Sequence, residues 1–193
     1  MKKTALIFIL LININIFANE SLIWRTAMFS TIFTFYGTNF FETTESGMDL
    51  GNYEDVYFAR IHLRWKFKNN LANFGKYSLN SYHSFAFAKW QSEIDVTDKG
   101  SITVVEYNPI FRIENLNTFS PFLEYSIGTS LISDYEINEH KLGGAFSFNH
   151  ILGIGYKFNK FNLSLKYQHY SNNGIYKENT GINFYLLSLS YNY

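Results

Sequence analysis

The sequence predicts an all-β protein, an eight-stranded antiparallel up-and-down transmembrane β-barrel. Three observations carry that prediction. Aromatic residues are abundant, with 20 Phe and 15 Tyr in 193 residues, and many recur at every second position. Hydrophobic residues make up 47% of the chain while the mean hydropathy is only −0.12, so apolar residues are diluted by polar neighbours, as in a strand with one greasy face. Segments of this kind, each near the ~9 to 11 residues that cross a bilayer at a tilt, are joined alternately by short turns and longer polar loops.

Composition narrows the function classes. With no Cys, the chain cannot form disulfides, thiolate zinc sites or iron–sulfur centres, and lipid attachment through cysteine is impossible. Sixteen Lys and Arg balance sixteen Asp and Glu with no basic run, so no nucleic-acid partner is expected.

Met1-Lys2-Lys3, the apolar run Thr4 to Phe17 and small Ala18 read as a secretory signal peptide over residues 1–18, which leaves residues 19–193 as one barrel domain. Asn13 and Asn15 interrupt that run, and no later segment has the roughly 18 or more apolar residues of a membrane helix. Arg25 to Gly37 is the first expected strand, and Thr38 to Asn52 the first long loop. In Tyr57 to Phe67, Ile61, Leu63 and Trp65 alternate with Arg60, His62, Arg64 and Lys66. Lys68 to Asn80 is long where a short turn belongs. Ser81 to Gln91 and Ser101 to Ile113 are strands with weaker alternation, separated by the loop Glu93 to Gly100. After a turn at Glu114 to Thr118, Phe119 to Leu131 sets Leu123, Tyr125 and Ile127 against Glu124, Ser126 and Gly128. The loop Ser133 to Gly143 leads to Phe146 to Phe158, where Phe146, Phe148, Leu152, Ile154 and Tyr156 share one parity. Asn159 to Lys160 is a turn. Phe161, Leu163, Leu165 and Tyr167 then oppose Asn162, Ser164, Lys166 and Gln168, and after the loop Asn172 to Ile182 a last alternating strand ends on Tyr193, an ending typical of bacterial outer-membrane barrels.

A soluble sandwich or lipocalin-like barrel also alternates, and the polar face decides between them. Here that face combines Gly, Ser and Asn with a few charges of both signs, namely Arg60, Arg64, Lys66, Glu106, Arg112, Glu114 and Glu124. An eight-stranded barrel is just wide enough inside for side chains, so such charges must pair in the lumen while Phe, Tyr, Leu and Ile face lipid.

Parity also places the candidate chemistry. His169 and Ser171 continue the lipid-facing row, and Asn183 begins the lipid-facing row of the last strand at the same height. Residues two apart on a strand point the same way with Cα atoms on the order of 7 Å apart, near enough for an imidazole to serve a serine hydroxyl. Asn183 could accept the other imidazole N–H and fix the tautomer. An interfacial His and Ser without chemistry is the plain alternative.

His169-Tyr170-Ser171-Asn172-Asn173-Gly174-Ile175, followed by Asn179-Thr180-Gly181-Ile182-Asn183, resembles the His-x-Ser-Asn-x-Gly and Asn-x-Gly-Ile blocks of the PagL family of lipid A deacylases. The likeness extends upstream through Asn108-Pro109-Ile110-Phe111, Pro121-Phe122-Leu123-Glu124 and Phe146-Ser147-Phe148. The resemblance implies an outer-membrane barrel that removes the 3-O-linked 3-hydroxyacyl chain from lipid A in the outer leaflet, without cofactor or metal. It implies Ser171 as nucleophile, His169 as base, oxyanion groups at Asn172 and Asn179 with the Gly174 N–H beside them, and Phe148 lining the acyl site. Asn183 is the departure, standing where the best-known member of that family has the triad Glu; an amide can orient His169 but brings no charge to its imidazolium, so slower turnover is one outcome. His62, His83, His140 and His150 lack ligand spacing. The acidic first loop, with Glu42, Glu45 and Asp49, reads as solvated, with divalent cations around lipopolysaccharide headgroups as the alternative. A non-enzymatic barrel, structural or adhesive, and an outer-membrane phospholipase or other esterase remain rival functions, and a homodimer is left open.

Overall fold

The computed structural model describes residues 44–93, 100–115 and 117–193. The leader, the strand expected at Arg25 to Gly37, and Glu42 lie outside the described residues. The strands are β1 (Glu45–Tyr53), β2 (Val56–Lys66), β3 (Ala72–Phe74), β4 (Tyr77–Ser92), β5 (Ser101–Asn115), β6 (Phe119–Ile132), β7 (Glu136–Ile137), β8 (His140–Lys141), β9 (Phe146–Phe158), β10 (Phe161–Ser171) and β11 (Ile182–Asn192). Strands β1, β2, β4, β5, β6, β9, β10 and β11 pair antiparallel in that order, and β11 pairs back onto β1 from Glu45↔Asn192 to Asn52↔Tyr185, closing an eight-stranded barrel.

Closure through β1 corrects the sequence reading. The segment expected to be a long acidic loop is the first barrel strand, and its link to β2 is the tight turn at Glu54 and Asp55, with Glu54 at φ 49°. Glu45 and Asp49 are therefore neither solvated nor available to cations: both are fully buried in the lumen. Every second residue of β1 faces inward, and from Glu45 to Gly51 the inward set of Glu45, Gly47, Asp49 and Gly51 has no apolar member to mark it as a strand; only Tyr53, at its end, packs against apolar neighbours. The overlong Lys68 to Asn80 segment is also explained, since β3 folds back on the first residues of β4 as a small hairpin at the short-turn end.

Alternation holds around the barrel. On β10, Asn162, Ser164, Lys166, Gln168 and Tyr170 are buried while Phe161, Leu163, Leu165 and Tyr167 are exposed. Leu50, Ile61, Phe87, Leu123, Leu152 and Leu187 extend the outward apolar belt, as contact with hydrocarbon requires. In the lumen, Arg64 bridges Glu45 at 2.7 Å and Glu124 at 3.2 Å, and Arg112 reaches the same two carboxylates at 2.8 Å each. Lys166 contacts Asp49 at 2.9 Å and Glu124 at 3.3 Å, while Arg60 contacts Asp49 at 2.6 Å and Glu106 at 3.0 Å. These side chains are almost wholly out of solvent, so the ions are affordable only because each meets opposite charge and hydrogen-bond partners. Glycines make the room: a Cβ at Gly153 would stand 2.9 Å from Glu124 Cγ.

Toward the loop end the lumen changes character. Phe58, Trp90, Ile102, Tyr170, Ile182 and Phe184 belong to an apolar cluster, with Ile137 and Leu142 of the connection between β6 and β9 packed into it. Burying these residues fixes the upper ends of β10 and β11, which carry the candidate site on their outer face.

Candidate active site

The site is built where β10 ends and β11 begins. Strand alternation turns Tyr167, His169 and Ser171 outward, and the β10–β11 ladder sets His169 directly opposite Asn183. His169 Nδ1 lies 2.7 Å from Asn183 Oδ1, so the ring nitrogen donates its hydrogen to the amide oxygen and Nε2 is left as the basic atom. On the other side, His169 is the ladder partner of His150, and their ring centroids are 6.3 Å apart. Ser171 is the ladder partner of Phe148, whose ring is buried.

His169 and Ser171 line one cavity of about 410 Å³ together with Asn173, Gly174, Asn179, Thr180 and Gly181. The direct hydrogen bond that their spacing allows is not made among the described residues, a looseness common before substrate arrives. Gly181, at φ 65°, is required by the packing: a Cβ there would come 3.1 Å from His169 Cε1 and 3.0 Å from the Tyr170 carbonyl oxygen.

The connection from Asn172 to Gly181 is held by Asn172. Its side-chain nitrogen donates to the carbonyls of Leu142 at 2.8 Å and Glu178 at 2.6 Å, its side-chain oxygen accepts the Gly174 N–H at 2.8 Å, and its own N–H donates to Asn179 Oδ1 at 2.9 Å. The donors expected from Asn172 and Gly174 are therefore committed to the loop itself. Asn172 is fully buried, which suits a loop anchor. Asn179 spends its oxygen on Asn172, leaving its amide N–H groups to the cavity it lines. The β7–β8 hairpin clamps the same connection: the Lys141 N–H donates to Thr180 Oγ1 at 2.7 Å, Thr180 N–H donates to the Lys141 carbonyl at 2.9 Å, and His140 Nδ1 donates to the Gly181 carbonyl at 2.9 Å.

Sequence reasoning passed over two residues. Asn173, in the left-handed region at φ 52°, also lines the cavity, and its side-chain nitrogen is buried without a hydrogen-bond partner among the described residues. Tyr167 donates its hydroxyl hydrogen to Asn183 Oδ1 at 2.6 Å. Tyr167 was legible as a member of the outward row two places before His169; only the diagonal contact across the ladder shows its partner.

The chain resembles known proteins along most of the barrel. It is 27% identical over 130 residues to the lipid A deacylase PagL of Pseudomonas aeruginosa, a match covering 66% of this chain and 73% of that protein. It is 30% identical over 86 residues to the lipid A deacylase PagL of Bordetella bronchiseptica, covering 44% of this chain and 47% of that protein. The crystal structure of the outer membrane enzyme PagL shares the fold, with a TM-score of 0.67 at 21% identity over 77% of this chain and 99% of that one. Because the family model described as lipid A 3-O-deacylase (PagL) matches residues 56–192, from the second barrel strand through the last, the chain belongs to that family of outer-membrane enzymes.

Proposed function

We propose that this chain is a serine esterase of the outer leaflet, cutting the 3-O-linked 3-hydroxyacyl chain from lipid A with Ser171 as nucleophile, His169 as general base and Asn183 as the orienting third member. The observation that carries the reading is the 2.7 Å contact of His169 Nδ1 with Asn183 Oδ1, which leaves Nε2 unprotonated beside a cavity shared with Ser171. The cavity opens on the lipid-facing wall, so an ester at the membrane interface can enter sideways without leaving the bilayer.

In the first step Nε2 takes the Ser171 hydroxyl proton while Oγ bonds to the ester carbonyl carbon. The resulting oxyanion is met by the free amide hydrogens of Asn179, the cavity side chain whose donors are not already committed to the loop. Collapse breaks the bond to the sugar oxygen, which takes the proton back from the imidazolium. Water, deprotonated by His169, then attacks the acyl-serine; collapse breaks the bond to Ser171 Oγ, which takes that proton back from the imidazolium, and the 3-hydroxy fatty acid departs. Phe148, opposite Ser171, flanks the path of the acyl chain.

Mass spectrometry of lipid A from cells expressing the intact chain or Ser171→Ala tests this. Loss of one 3-hydroxyacyl group with the intact chain, restored to full acylation by the variant, is expected. Full acylation with both, or release of an unhydroxylated acid from phospholipid instead, overturns it.

A further inference from the structure

An amide in the third triad position raises a problem that a carboxylate does not. Both oxygens of a carboxylate accept, so either can receive the His169 Nδ1 hydrogen. An amide presents an acceptor on one side and a donor of nearly the same shape on the other, and rotation about its terminal torsion exchanges them. With the NH2 group toward His169, Nδ1 would have to accept, the ring proton would move to Nε2, and the base would be lost to Ser171.

Two hydrogen bonds converge on Asn183 Oδ1, from His169 Nδ1 at 2.7 Å and from the Tyr167 hydroxyl at 2.6 Å. Tyr167 belongs to the lipid-facing row, and its ring packs against Tyr185 at 5.7 Å between centroids, with Tyr185 in turn 6.4 Å from Tyr53. That packing aims the phenol at Asn183. Rotating the amide would turn the hydrogen bond that the Tyr167 hydroxyl donates into one that its oxygen accepts, leaving the hydroxyl hydrogen without an acceptor on a wall where hydrocarbon supplies none, so the rotamer with oxygen toward the imidazole is favoured.

We infer that Tyr167 is a positioning residue: its hydroxyl locks Asn183 with the oxygen facing His169, which keeps the ring proton on Nδ1 and Nε2 free for Ser171. The inference rests on the reading of His169 as the base for Ser171, and it accounts for how an amide can serve in the third position.

The test compares Tyr167→Phe in the natural Asn183 background and in Asn183→Glu, with purified protein refolded in detergent. Phenylalanine keeps the ring against Tyr185. In the Asn183 background, kcat should fall about tenfold at nearly unchanged KM, the equivalent of one ordinary hydrogen bond. In the Asn183→Glu background the same change should alter kcat by less than about twofold, because a carboxylate needs no rotamer lock. Nitrogen-15 spectra of histidine-labelled protein should show the His169 proton on Nδ1 in the natural chain and substantially on Nε2 in Tyr167→Phe. Equal losses in both backgrounds, or an unchanged tautomer in Tyr167→Phe, overturn the inference. The spectra need no turnover and can be recorded on Ser171→Ala, so failure of the esterase reading would be seen separately, as full acylation of lipid A with the intact chain or as hydrolysis that survives loss of Ser171.

Discussion

Tyr170 turns inward between His169 and Ser171, and its hydroxyl donates to the Glu106 carboxylate across the lumen. The residues that face lipid at the site are thus held from behind by the charged interior. Glu106 also accepts from Arg60 at 3.0 Å and Asn108 at 2.8 Å, so one carboxylate ties β10 to β2 and β5.

Tyr170→Phe should lower stability by ~1 to 3 kcal/mol, the usual cost of leaving a buried polar group without its partner. Activity per folded molecule should fall less than stability does, since Phe still fills the apolar cluster around Trp90 and Phe184. Urea unfolding in detergent, followed by tryptophan fluorescence, measures the first; a rate normalised to folded protein measures the second.

Glu45→Ala should destabilise the barrel by roughly 3 to 5 kcal/mol, because Arg64 and Arg112 both lose a buried counter-ion. Calcium or magnesium titrations should be the same for this variant and the natural chain, as Glu45 is out of reach of solvent. A cation-dependent change in the melting of the natural chain that vanishes in Glu45→Ala would restore the cation-binding alternative.

Asn179→Asp and Asn172→Ala should separate catalysis from loop anchoring. Aspartate at 179 can still accept the Asn172 N–H but loses the amide hydrogens, so kcat should drop roughly 100- to 1000-fold with little loss of stability. Asn172→Ala removes both bonds that tie the connection to Leu142 and Glu178, so proteolytic nicking between residues 172 and 181 should rise. The two readouts exchanged between the variants would mean that Asn172 supplies the oxyanion donor.

Gly181→Ala should cost about 1 to 2 kcal/mol of backbone strain in the left-handed region and push the imidazole off line, since its Cβ would meet His169 Cε1 at 3.1 Å. A kcat at least about tenfold lower at unchanged KM is expected, in keeping with the sensitivity of catalysis to small displacements. Steady-state kinetics on detergent-dispersed lipid A give the answer.

Much of this protein is written in period two. Because side-chain direction alternates strictly along a strand, Phe161 to Ser171 alone was enough to put His169 and Ser171 on the lipid side and Lys166 inside, and the likeness of the Asn172 to Asn183 block to its family followed from residue types at fixed spacing. Strand β1 was not legible, because up to Gly51 its inward residues are two acids and two glycines, and the acids take their meaning as strand residues from Arg60, Arg64, Arg112 and Lys166 on other strands. The same holds for the donors around Ser171: whether Asn172 serves the oxyanion or the loop is decided by the Leu142 carbonyl, 30 residues away in the chain. The sequence by itself determined which wall each side chain faces, since that is local geometry. Which charges neutralise one another, which hydrogens remain free and which way the Asn183 amide points were decided by tertiary structure, because each depends on partners that only barrel closure brings within 3 Å or so.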